Sequence, residues 1–204
     1  VKTGLNQKEC HGNAGLLLFG TPGNGKSSLV KALAQEINVP IMVFDMSTMT
    51  NKDFSKYWNQ VVSNTPCIVL LEDIDAVFDG RKNLSTCDGA LSFDCLLNHL
   101  DGVQANDGIF TIITTNNIDK IDSAIGIPNG DNISTRPGRI DRAIEMVNPD
   151  EAGRYKIAKR ILNDFPEKID ETVKAGSHDT GAQFQERCAR LALQLFWENK
   201  GNKK

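Results

Sequence analysis

No apolar run in this 204-residue chain approaches the ~20 residues that a membrane-spanning helix needs. No stretch reads as a secretory leader either. Cys-x-x-Cys is absent. Cys10, Cys67, Cys87, Cys95 and Cys188 are an odd set without paired spacing, which argues against a disulfide framework or a structural zinc site and for a reducing compartment. Cys67 falls in an apolar strand and Cys188 on an apolar helix face, so both are expected in the core. His11, His99 and His178 are scattered without metal-ligand spacing. Neither sign of charge dominates: a formal net charge of -3 exerts no global pull on nucleic acid or an anionic membrane. No basic-aromatic stripe supplies a local one, although Arg136, Arg139 and Arg142 form a small basic patch. Repeats and low-complexity tracts are absent too. Because the chain starts at Val1 and not Met, an N-terminal region is expected to have been removed, and such a region could anchor the parent protein in a membrane. The compartment stays open between a cytoplasm and an organelle matrix.

What is present is an ordinary globular composition, 40% hydrophobic and 24% charged, enough for one large domain or a medium domain with a small appendage. Its most informative run is Gly20-Thr21-Pro22-Gly23-Asn24-Gly25-Lys26-Ser27-Ser28. An apolar segment, 14–19, precedes it as a strand. Leu29, Val30, Leu33 and Ile37 follow at helical spacing. A glycine-rich loop between strand and helix wraps polyphosphate with backbone N–H groups, and the positive end of the helix dipole faces the same charge. Lys26 would reach the terminal phosphates, and the Ser27 hydroxyl would be a Mg²⁺ ligand. The expected ligands are therefore a nucleoside triphosphate and Mg²⁺.

The pattern then alternates between strands and helices, which predicts a parallel sheet between helical layers. Strands are expected at 40–44, 67–71, 108–115 and 143–147, and helices at 51–63 and 91–100. Asn148-Pro149 ends the alternation, and the remainder reads as helix. Thr180 with Gln183 makes a capping box, opening a helix with Phe184, Cys188, Leu191 and Leu195 on one stripe. The expected fold is thus α/β, a three-layer αβα P-loop NTPase core over 1–148, followed by a small all-helical lid over 149–204.

Hydrolysis of a bound triphosphate needs a metal, an oriented water and stabilisation of developing charge. Glu72-Asp73 ends the third apolar strand. By register Glu72 would serve the metal and Asp73 would orient or activate water, while Asp75 reads as a capping or structural acid. Asn116 ends the next strand, beside either the phosphate-loop strand or the acidic one, and would bond the γ-phosphate or the water. Asn117 is the alternative if the register slips. Arg136 and Arg139 offer guanidinium groups for phosphate charge.

Four segments in order, Gly-Thr-Pro-Gly-Asn-Gly-Lys-Ser, Leu-Leu-Glu-Asp-Ile-Asp, Thr-Thr-Asn-Asn-Ile-Asp-Lys-Ile-Asp and Arg-Pro-Gly-Arg-Ile-Asp-Arg, resemble the AAA ATPases. The resemblance runs from Gly12 to Asn199 and includes 180–184 at the start of a lid helix. Glu-Asp in place of Asp-Glu, together with the run 91–103, is similar to one branch, the assembly chaperones of mitochondrial complex III that move the folded Rieske protein. The resemblance implies a homo-oligomeric ring, six- or sevenfold, with ATP between subunits, Arg136 and Arg139 reaching a neighbour's nucleotide, and a protein client. Two departures stand out. The segment 126–135 is inserted where the family runs almost directly into Arg-Pro-Gly-Arg, and reads as a surface loop. The segment 45–50 lacks the aromatic-apolar-Gly trio of threading motors. Met46 and Met49 read there as packing residues, which suits a chaperone or folded-cargo translocase. The rival readings are an ATP-binding scaffold without turnover and a DNA-remodelling AAA ATPase.

Overall fold

The computed structural model describes residues 14–101, 107–127 and 139–201. Five strands, β1 (Ala14–Phe19), β2 (Ile41–Phe44), β3 (Cys67–Leu71), β6 (Ile109–Thr115) and β7 (Arg142–Glu145), form one sheet in the order β2-β3-β6-β1-β7. Every pairing in it is parallel. A small antiparallel pair, β4 (Phe78–Asp79) and β5 (Lys82–Asn83), lies apart from it.

Strand alternation sorts the core into two layers. Leu17, Val69, Leu71 and Ile113 face α2 (Asn51–Val62) and α4 (Phe93–Leu100), packing with Phe54, Trp58, Leu96 and Leu97. Their sequence neighbours Leu18, Ile68, Leu70 and Ile112 face the other way and pack with Val30 and Ala34 of α1 (Lys26–Ile37). With both faces covered, the sheet is the middle of an αβα sandwich, as expected of a P-loop fold. Thr50 opens α2 with a reciprocal capping box to Asp53, whose carboxyl is held below its ordinary pKa first by the Thr50 hydroxyl. Met46 is buried in the first layer and Met49 packs against it.

Gly15 shows how closely the chain passes β1. A Cβ there would sit 1.5 Å from the Arg139 carbonyl oxygen, and its backbone exchanges hydrogen bonds with Asp141 at 2.9 and 2.8 Å.

The chain divides into two compact units. One takes the described residues up to Gly20 together with Lys26–Glu145. The other takes Thr21–Gly25 and the residues from Met146 onward. The second unit is helical: α5 (Glu151–Ile161), α6 (Ile169–Ala175) and α7 (Gly181–Gly201) close around Ala158, Leu162, Val173, Phe184 and Cys188. The Thr180–Gln183 capping box is formed. Arg154 is buried among these helices and donates to the Val173 and Pro149 carbonyls at 3.1 and 2.7 Å. Burial pushes the thiols of Cys67 and Cys188 up, in keeping with core positions.

Three short elements went unread in the sequence: the helix α3 (Ile74–Val77) and the strands β4 and β5. Each is too short to show a period. The inserted segment 126–135, apart from Gly126 and Ile127, lies outside the described residues, as does Arg136. No helix among the described residues is long and apolar enough to cross a membrane.

Candidate active site

In the α/β unit, Gly20 follows β1, Glu72-Asp73 follows β3, and Asn116 follows β6. These three strands are neighbours, with β6 in the middle. Asn116 is therefore beside both the phosphate-loop strand and the acidic one, which resolves the alternative left by the sequence. The carboxyl ends of adjacent parallel strands are where α/β sheets gather ligand-binding groups.

Lys26, the first residue of α1, is buried, and its Nζ donates to the Gly20 carbonyl and to Asn116 Oδ1, both at 2.7 Å. The other end of the same amide, Asn116 Nδ2, donates to Asp73 Oδ1 at 3.1 Å. An ammonium on one side and a carboxylate on the other fix the amide's orientation. Ser27 donates its hydroxyl to Glu72. The two acids are thus separated by partner: Glu72 is with the Ser27 hydroxyl, and Asp73 is with Asn116 and, through it, Lys26. Ser28 follows in the first turn of α1, exposed, where backbone N–H groups lack intrahelical acceptors. Asn117 is spent locally, accepting from Asp119 N as the cap of a 3-10 turn.

Thr21–Gly25 belong to the helical unit. Gly20, Gly23 and Gly25 all have positive φ, at 133°, 88° and 86°, which explains the glycine spacing. Asn24, expected as a nucleotide contact, uses its side chain differently. Its Nδ2 donates to the Met146 carbonyl at 3.0 Å, Asn148 Oδ1 at 2.9 Å and Thr21 Oγ1 at 2.7 Å, and its Oδ1 accepts from Gly181 N at 3.1 Å. Gly23 O accepts from Ala182 N at 2.9 Å, and a Cβ on Gly23 would sit 3.0 Å from Thr180 Oγ1. Thr21 and Pro22 are exposed.

Arg139 requires a correction. It was expected to project toward a neighbouring subunit, but it is buried. Its guanidinium is bound bidentately by Asp101 and donates to the Ala124 carbonyl. In this arrangement it braces its own fold, because burying an unpaired guanidinium would be costly. Asp75 is structural, as expected, but it is not a cap. It is buried after β3, and its Oδ1 accepts from Asn116 N at 2.9 Å and Thr115 Oγ1 at 2.8 Å. Thr114 and Thr115, both buried, were missed as site residues. The visible signal was two adjacent hydroxyls closing a largely apolar strand.

The arrangement can hold phosphate charge and a hard cation. Among the described residues, no three His, Cys, Asp or Glu side chains gather as a metal cage. A Mg²⁺ that shares substrate phosphates needs only one or two protein oxygens, and the Ser27–Glu72 pair offers that chemistry.

A model of the ATPase family associated with various cellular activities (AAA) matches residues 16–146. The chain belongs to the AAA ATPases. As an AAA domain it is an ATP-binding ATPase module, and its similarities spread across the family. It is 33% identical over 207 residues to an ATP-dependent zinc metalloprotease FtsH of Caulobacter vibrioides, covering 91% of this chain and 30% of that protein. It is 40% identical over 158 residues to the probable mitochondrial chaperone BCS1-A of Dictyostelium discoideum, covering 73% of this chain and 35% of that protein. BCS1-B of the same organism is 30% identical over 207 residues, covering 83% and 42%. The AAA chain thus spans well under half the length of these relatives.

Proposed function

We propose that this AAA domain hydrolyses Mg-ATP and couples turnover to shape change in a homo-oligomeric ring acting on a protein client, in the manner of an assembly chaperone or folded-cargo translocase. The observation that carries the hydrolase reading is the linked set Lys26–Asn116–Asp73 beside Ser27–Glu72 at three adjacent strand ends. Gly20–Ser28 would hold the phosphates, with Lys26 as the point charge on the terminal ones. Ser27 and Glu72 would hold Mg²⁺, which when bound neutralises phosphate charge. Asp73 would accept a proton from the attacking water, and Asn116 would orient that water or the γ-phosphate. Arg136 keeps the expected role of an arginine finger. For Arg139 to act on a neighbour, its pairing with Asp101 would first have to open. The buried Met46 and the missing aromatic grip in 45–50 favour a client that is not threaded as an extended chain. The similarity to BCS1 chaperones supports the same choice.

ATPase activity per subunit, measured over a wide range of protein concentration, tests this reading. Turnover should be abolished by Lys26→Ala and should rise steeply with concentration if subunits complete each other's sites. Nucleotide binding without wild-type turnover would sink it in favour of an ATP-binding scaffold.

A further inference from the structure

We propose that Thr114 is a positioning residue for Asp73: its buried hydroxyl holds the Asp73 backbone in the left-handed conformation from which the carboxylate meets Asn116. The proposal rests on the hydrolase reading above. Asp73 has φ 48° and ψ 53°, and among the described residues only one other non-glycine, Asn38, has positive φ. A residue with a Cβ enters this region reluctantly, Asp and Asn least so. It stays there when its surroundings over-determine it.

Asp73 stands at the N-cap position of α3 but does not behave as a cap. A capping Asp is extended and bonds the helix's first N–H groups. Asp73 is left-handed and makes no side-chain cap bond. Its carboxylate is thereby available to Asn116 Nδ2, at 3.1 Å. Its own N–H points across the sheet and donates to Thr114 Oγ1 at 2.9 Å, from a strand 41 residues downstream. Thr114 is only 1% exposed, so its hydroxyl is held in place by the sheet and presents a fixed acceptor to that N–H.

The brace has a counterpart. Asp75, on the chain leaving β3, accepts from Asn116 N at the end of β6. Each member of the Asp73–Asn116 contact is therefore held by a residue from the other's strand. The second acid occupies a left-handed position that Asp tolerates better than most residues, and the turn delivers its side chain to Asn116.

The test uses the full chain and compares kcat and KM for MgATP in wild type, Thr114→Val, Thr114→Ser, Asp73→Asn and the double variant Asp73→Asn/Thr114→Val. Valine keeps the volume and removes the acceptor; serine keeps the acceptor and removes a methyl. Misplacing a reacting group is expected to lower kcat about 100-fold in Thr114→Val with KM nearly unchanged. Thr114→Ser should stay within about threefold of wild type, and the double variant should be no slower than Asp73→Asn alone. Should Thr114→Val fail to fold, Thr114→Ala carries the same comparison. Equal losses in the serine and valine variants, multiplying losses in the double variant, or wild-type kcat in Thr114→Val would each overturn the positioning role and leave the hydrolase reading standing. A wild-type chain that binds ATP without turning it over would overturn both.

Discussion

The two compact units bury polar groups in different ways. In the α/β unit Arg139 braces the fold, but Lys26, Asp75, Thr114 and Thr115 cluster at the strand ends, where side chains bond to one another or to the backbone beside a candidate reacting group. In the helical unit, Arg154 and Thr172 bond to main-chain carbonyls of Val173, Pro149 and Lys168. A buried side chain that satisfies a carbonyl finishes the architecture, because an unpaired backbone group is costly. A buried side chain that fixes another side chain's direction organises chemistry. The first kind should show in stability and the second in rate.

The sharpest break is at Asp75. Asp75→Ala removes the acceptor for Asn116 N and one of two acceptors for Thr115 Oγ1, so kcat should fall about 100-fold, with a stability loss of about 1–3 kcal/mol. An unchanged kcat in a folded variant would erase the distinction between the units. Arg154→Ala should do the reverse. It strands the buried Val173 carbonyl and the part-buried Pro149 carbonyl and should cost about 2–3 kcal/mol, seen as a lowered unfolding midpoint, while kcat measured well below that midpoint stays within about twofold, since Arg154 belongs only to the architecture. The smallest effect is expected from the half-exposed pair of Arg187 Nε and Asp179 Oδ2, 2.6 Å apart. The Arg187 hydrogen bond holds the Asp179 carboxyl below its ordinary range. Its contribution is therefore present above the unfolded carboxylate pKa of ~3.9 and lost as pH falls through the lowered folded value. Arg187→Ala should lower the midpoint slightly at neutral pH, with the difference vanishing in strong acid.

The sequence carried the sheet because apolar runs such as Cys67–Leu71 and Ile109–Thr115 are long enough to read, and both proved to be central strands buried on two faces. The glycine loop was legible because its residues are contiguous. The bracing was not. Thr114 and Asp73 lie 41 residues apart, as do Asp75 and Asn116, and meet only because β3 and β6 are paired. Periodicity says which residues face inward, whereas strand order says which inward residues meet. The pairing of Arg139 was illegible for the same reason, since its partner Asp101 is 38 residues away. Asn24 lies in the expected phosphate loop, and the loop gave no sign that its side chain would bond Met146 and Gly181.

The place of β1 in the sheet bears on synthesis as well as on chemistry. It is an early strand in the described chain, yet both its neighbours, β6 and β7, come late, and the Gly15–Asp141 bond spans 126 residues. Leu16, Leu17 and Leu18 leave the ribosome long before any strand can pair with them. β2 and β3, which pair with each other, can form a partial sheet first. The strand that carries the phosphate loop is therefore the one that waits, and closing it is a long-range, entropically slow event. During that wait the chain exposes an unpaired apolar edge, the kind of surface that is prone to aggregate until its partners arrive.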